Sequence, residues 1–86
     1  MTTRISKRDL RQLAEELGAE EILGRKSNIY KYEDARYNEC RKNGWSYECI
    51  AYSAGVYGNT GRIDKLVEYN AKSEKWELVK YIFYTE

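Results

Sequence analysis

The sequence predicts an α+β fold, with two short helices packed on one face of a three-stranded antiparallel sheet. Three observations carry that expectation. Apolar residues recur at helical spacing in the first twenty positions. The composition turns aromatic and β-favouring from Trp45 onward. The segments between the later apolar runs are short and turn-like. At 86 residues the chain is expected to be a single domain, 1–86.

The first helix is the clearest element. In "ISKRDLRQLAEELG", Ser6 is a good N-cap, and Asp9 three residues later makes an approximate capping box. Ile5 and Leu10 have the spacing of a hydrophobic staple, and Leu10, Leu13, Ala14 and Leu17 fall on one stripe. Gly18 suits a left-handed C-cap. "AEEILG" reads as another short helical turn ended by Gly24, and an extra short strand is expected near residues 28–32. "EDARYNECRKNG" then reads as the second helix. Its acids come first, Arg41 and Lys42 come last, and Asn43-Gly44 forms a stop. Its apolar face is little more than Tyr37 and Cys40.

Three strands follow from "WSYECIAYSAGVY", "RIDKLVEY" and "KWELVKYIFY", joined by "GNTG" and "NAKSE". The stretch "SAGVYGNTGR" places Gly55, Gly58 and Gly61 three apart, which raises the question of a phosphate-cradling loop. Such a loop normally runs from a strand into a helix N-terminus, and here strand-like sequence lies on both sides. The reading is therefore a hairpin, with Gly58 and Gly61 at positive φ and Gly55 at a bulge or close approach. Arg62 beside the loop keeps an anion nest open as the lesser alternative.

Both faces of the first and last strands look apolar. Trp76, Leu78 and Ile82 alternate with Val79, Tyr81 and Phe83, for example. Two helices on one side would leave the other face to a partner chain or to exposed aromatics.

Composition argues against catalysis. The chain has nine tyrosines, two tryptophans and one phenylalanine but no histidine, so the commonest general base and metal ligand is missing. Cys40 and Cys49 cannot build a zinc site alone, and Cys40 lies near a helix end where nothing activates a thiolate. No enzyme activity, metal or cofactor is expected. The N-terminus has no apolar run of signal-peptide type and no segment approaches a membrane span. Reduced thiols in a cytoplasmic setting are the expectation.

Net charge is +1, yet the charges are grouped. Arg4, Lys7, Arg8 and Arg11 cluster at the start of the first helix, with Arg25-Lys26 and Arg41-Lys42 as further dibasic pairs. The leading functional expectation is a protein-binding module docking through Tyr52, Tyr57, Tyr69 and Tyr81 with Arg62 beside them, since tyrosine and tryptophan are enriched at interface hot spots. Nucleic-acid binding through the eight basic residues named above is the second reading, and a small nucleotide-like ligand held by the glycine loop and aromatics is the third. A homodimer is an open alternative for the assembly. In style, being short, tyrosine-rich and without catalytic groups, the chain resembles small accessory proteins of phages and other mobile elements. That resemblance implies an inhibitor that plugs a site on a host protein.

Overall fold

The computed structural model describes residues 2–24, 29–55 and 58–86. Its elements are β1 (Thr3–Arg4), α1 (Lys7–Leu17), β2 (Glu20–Leu23), α2 (Ile29–Asn43), β3 (Trp45–Gly55), β4 (Gly58–Asn70) and β5 (Lys75–Thr85). The fold is α+β, with the strands forming one five-stranded mixed sheet in the order β1-β3-β4-β5-β2. The expected three-stranded meander is its centre. Two short parallel strands, β1 against β3 and β2 against β5, are added at its edges.

Helix α1 begins and ends as the sequence predicts. The Asp9 amide donates to Ser6 Oγ at 3.1 Å, and Gly18 takes φ 64°. The Gly18 and Ala19 amides then donate to the carbonyls of Glu15 and Ala14, closing a Schellman cap. That cap stops the helix and releases the chain in an extended direction, so residues 19–24 do not form the expected helical turn. Glu20–Leu23 pair with Ile82–Thr85 instead, and the Gly24 amide donates to the Thr85 carbonyl at 2.7 Å. Four residues of good helix propensity give too little local stability to resist a waiting sheet edge.

Helix α2 corrects a second expectation. Ile29–Tyr32 are its first turn rather than an extra strand, while Asn28 lies outside the described residues. Glu33 and Asp34 thus fall after the first turn, which has no acid. The buried stripe is Ile29, Tyr32, Arg36 and Cys40, and Tyr37 faces solvent. A stripe containing an arginine and a tyrosine is hard to recognise as an inner face.

The two helices lie on opposite faces of the sheet, which corrects the one-sided arrangement. Leu10 and Ala14 of α1 pack with Ala51, Ile63 and Phe83, whereas Ile29, Tyr32 and Cys40 of α2 pack with Leu66, Ile82 and Tyr84. Ile82 and Phe83 are neighbours in one strand and so point to opposite sides. The apolar character of both strand faces is met largely from within the chain.

The β3–β4 ladder continues to the pair Gly55–Gly58, so "GNTG" belongs to β4 rather than to a four-residue loop. Val56 and Tyr57 lie outside the described residues. A register shift sits between Ser53 and Ala54, next to the expected irregularity at Gly55. Gly61 is a place of close approach and not of positive φ. A Cβ there would come within 3.0 Å of the Tyr84 carbonyl oxygen and 3.1 Å of Leu10 Cδ2. Gly61→Ala should therefore cost about 1–3 kcal/mol in urea unfolding, because the backbone neighbour cannot give way. Gly44→Ala, with φ 72° and open space around it, should cost about 1–2 kcal/mol through its backbone alone.

Candidate functional site

The inner layer between α2 and the sheet is organised by polar groups. Asp64 is fully buried in the central strand β4. Its Oδ1 accepts from Arg62 Nε at 2.9 Å and Nη2 at 2.6 Å, and its Oδ2 accepts from Tyr32 Oη at 2.6 Å. Arg62 Nη1 also donates to Glu33 at 2.6 Å. Burial, and then the Asp64 charge, push the Tyr32 hydroxyl well above the usual phenol range. Nearby, Arg36 pairs with Glu39, and Lys80 bridges Glu39 to Glu20 of β2. Tyr32 stacks on Tyr84 with ring centroids 4.6 Å apart.

Two of the open surfaces around this frame matter for binding. The first lies on the α1 side. The eleven residues of α1 span only about 16 Å, while the thirteen of β4 run to about 43 Å. Beyond the end of α1's cover, Val67, Tyr69, Trp76 and Leu78 share a bare face, since Val67 pairs with Leu78 and Tyr69 with Trp76. Tyr69 is 52% exposed, Trp76 56% and Leu78 51%. The two rings meet at 5.5 Å between centroids. A register shift beside Leu66 and Val67 skips Val79 in the pairing, and this changes the parity of β5. Trp76 and Leu78 consequently share a face with Phe83, not with Ile82 as simple alternation suggests. Beside them, β2 covers the outer edge of β5 only from Ile82 to Thr85, so among the described residues the edge from Lys75 to Tyr81 is unpaired.

The second opening is a cleft of about 530 Å³ between β2 and the first half of α2. Its described lining includes Ile22, Tyr32, Ala35 and Tyr84, with Lys31 and Arg36 as the charged groups among the described residues.

The structure divides the sequence-derived site residues. Tyr69 sits in the bare patch, and Tyr81 is half-buried on the same side against the α1 cluster. Tyr52 pairs with Arg62 and so belongs to the α2 side. Tyr57 lies outside the described residues. Arg62 has its guanidinium committed to Asp64 and Glu33. Trp76 and Leu78 were missed as site residues; their period-two spacing was visible, but the reach of the covering helix was not.

The cationic residues also separate. Arg4, Lys7, Arg8 and Arg11 lie on β1 and α1, whereas Arg41 and Lys42 end α2 on the other side of the sheet. Lys7 Nζ donates to the Glu86 carbonyl at 2.8 Å. Arg11 pairs with Glu21 at 3.2 Å and lies over the Phe83 ring. Arg25 and Lys26 lie outside the described residues.

Cys40 and Cys49 are free thiols, both pushed up mainly by burial. Among the described residues no three His, Cys, Asp or Glu side chains are grouped to hold a metal, and no helix is long and apolar enough to cross a membrane. No family model matches the sequence, and no curated protein or solved structure matches the chain.

Two outcomes follow for the inner polar layer. Tyr32→Phe strips a donor from a buried carboxylate and should lower stability by about 1–3 kcal/mol, and Arg62→Ala by about 3–5 kcal/mol, both read by urea unfolding. Stability should also fall as pH rises above about 10. Burial, with help from the Glu86 hydrogen bond, pushes Tyr84 from 10.0 up to about 12. The unfolded chain therefore releases that proton first. The Tyr84 contribution is intact below pH 10 and is lost through about 12. Tyr84→Phe should flatten the alkaline decline.

Proposed function

We propose that this chain is a non-catalytic protein-binding module that takes an extended segment of a partner protein onto the free edge of β5. The observation that carries the reading is the conjunction of that edge with the bare Tyr69, Trp76 and Leu78 face. An added strand would gain main-chain hydrogen bonds along Lys75–Lys80, and its own alternate side chains would fall beside Trp76 and Leu78. Main-chain pairing supplies affinity in this mode, and the ring pair supplies selectivity for apolar residues at every second position.

Charge supports a protein rather than a polyanion as the occupant. Around this end of the sheet Lys65, Lys72, Lys75 and Lys80 are matched by Glu48, Glu68, Glu74 and Glu77. There is no cationic excess of the kind that phosphate-backbone binding requires. The style shared with phage and mobile-element accessory proteins adds the reading that docking blocks a site on a host protein.

A random-peptide phage library panned on the protein tests the proposal. The enriched peptides should alternate apolar residues, shift the amide resonances of Lys75–Lys80, and lose at least about tenfold in affinity to Trp76→Ala. Enriched peptides that map elsewhere would overturn it. So would a stable dimer joined through residues 75–80, which would make a second copy the natural occupant of the edge.

A further inference from the structure

We infer that the cleft between β2 and α2 binds a small organic anion with a flat apolar body. This site lies on the α2 side of the sheet and does not depend on the β5 edge. Its volume, about 530 Å³, falls in the range of small-molecule sites, which are mostly apolar with a few converging polar groups. Ile22 and Tyr84 come from the sheet, and Tyr32 and Ala35 from the helix. Leu23, 76% exposed, stands at the rim where a bound ring would cover it.

The polar groups of the cleft are cationic. Lys31 is exposed, and Arg36 is buried to 6% exposure. Glu39 occupies Arg36 Nη1, but the buried Nε has no hydrogen-bond partner among the described residues. A buried, unpaired guanidinium nitrogen is costly and calls for an explanation in the site's use. No carboxylate is among the described residues that line the cleft. Three neighbouring acids are already engaged, Glu39 by Arg36 and Lys80, Glu86 by the Tyr84 hydroxyl, and Asp64 by Tyr32 and Arg62. Lys31 makes no ion pair among the described residues and Arg36 keeps its Nε unpartnered, so these two cations are only partly matched, beside an aromatic wall.

That wall is fixed in place before anything binds. Tyr32 is held at its hydroxyl by Asp64, stacked on Tyr84, and has the Arg36 guanidinium 5.4 Å from its ring centroid. Gly24 completes the fit, since a Cβ at that position would run into the Tyr84 phenol. A ligand with a carboxylate or phosphate at the Lys31–Arg36 end and a ring against Ile22, Leu23 and Ala35, over the buried Tyr32, matches the chemistry of this lining. Fixed aromatic and cationic groups lower the ordering cost of such binding.

The test uses naphthalene-1-acetate and its neutral isostere, naphthalene-1-acetamide, titrated into isotopically labelled protein and followed by amide chemical shifts. The acetate should shift residues 22–24 and 31–36, and should bind at least about tenfold more tightly than the amide. Lys31→Glu, an exposed change, should abolish that preference, while Trp76→Ala should leave it intact. The inference is overturned if the acetate produces no shifts, if the two compounds bind alike, or if the shifts gather on Tyr69, Trp76 and Leu78.

Discussion

A buried carboxylate in the central strand sets the geometry of one whole face of this protein. Asp64 is fully enclosed, and it is satisfied only because Arg62 reaches it along β4 and Tyr32 reaches it from α2. A charge in that position is tolerable only when paired and hydrogen-bonded. The helix must therefore present Tyr32 at one height over the sheet. Once it does, Tyr32 can stack on Tyr84, Arg36 can lie over the same ring, and Glu39 can meet Lys80. Lys80 in turn ties β2 to the assembly through Glu20.

The opposite face is built by different means. Leu10 and Ala14 drop onto Ala51, Ile63 and Phe83 with Gly61 beneath, so α1 sits close to the strands without any buried ionic contact. Its length is set by the Ser6 and Gly18 caps rather than by the length of the sheet below. The β-strands run on past it. The bare end of the α1 face is thus a consequence of a short helix over long strands, and the bulge at Val79 delivers Trp76 and Leu78 to that end. Without the bulge, strand parity would turn both residues toward α2.

Much of this was legible in the sequence where local chemistry decides the outcome. The capping of α1, the stop at Gly44 and the three long strands follow from residue types and spacing. What escaped reading was decided at long range. Residues 20–23 carry helical propensity but meet the free edge of β5, which no local signal announces. The inner face of α2 was hidden because Arg36 and Tyr32 stand where apolar residues are expected, and they are intelligible only with Asp64 opposite. Placement of the two helices on opposite faces follows from the β1-α1-β2 crossover, which needs both edge strands to be seen first. Tyr52, Tyr69 and Tyr81 looked like one set in sequence, and the sheet separates Tyr52 from the other two.

The contrast between the faces bears on what each opening can do. A polar layer of directed hydrogen bonds holds its side chains in one arrangement, because any shift leaves a buried group unpaired. The walls of the β2–α2 cleft inherit that order from Asp64 through Tyr32. The bare α1-side face has no such network. Tyr69 and Trp76 rest on the paired strands that carry them and on their contact with each other, and Leu78 lies beside Val67 on the same face. The proposed strand addition at the β5 edge would take its register from main-chain pairing and not from this face. The difference between the two faces follows from where the chain places its buried charge.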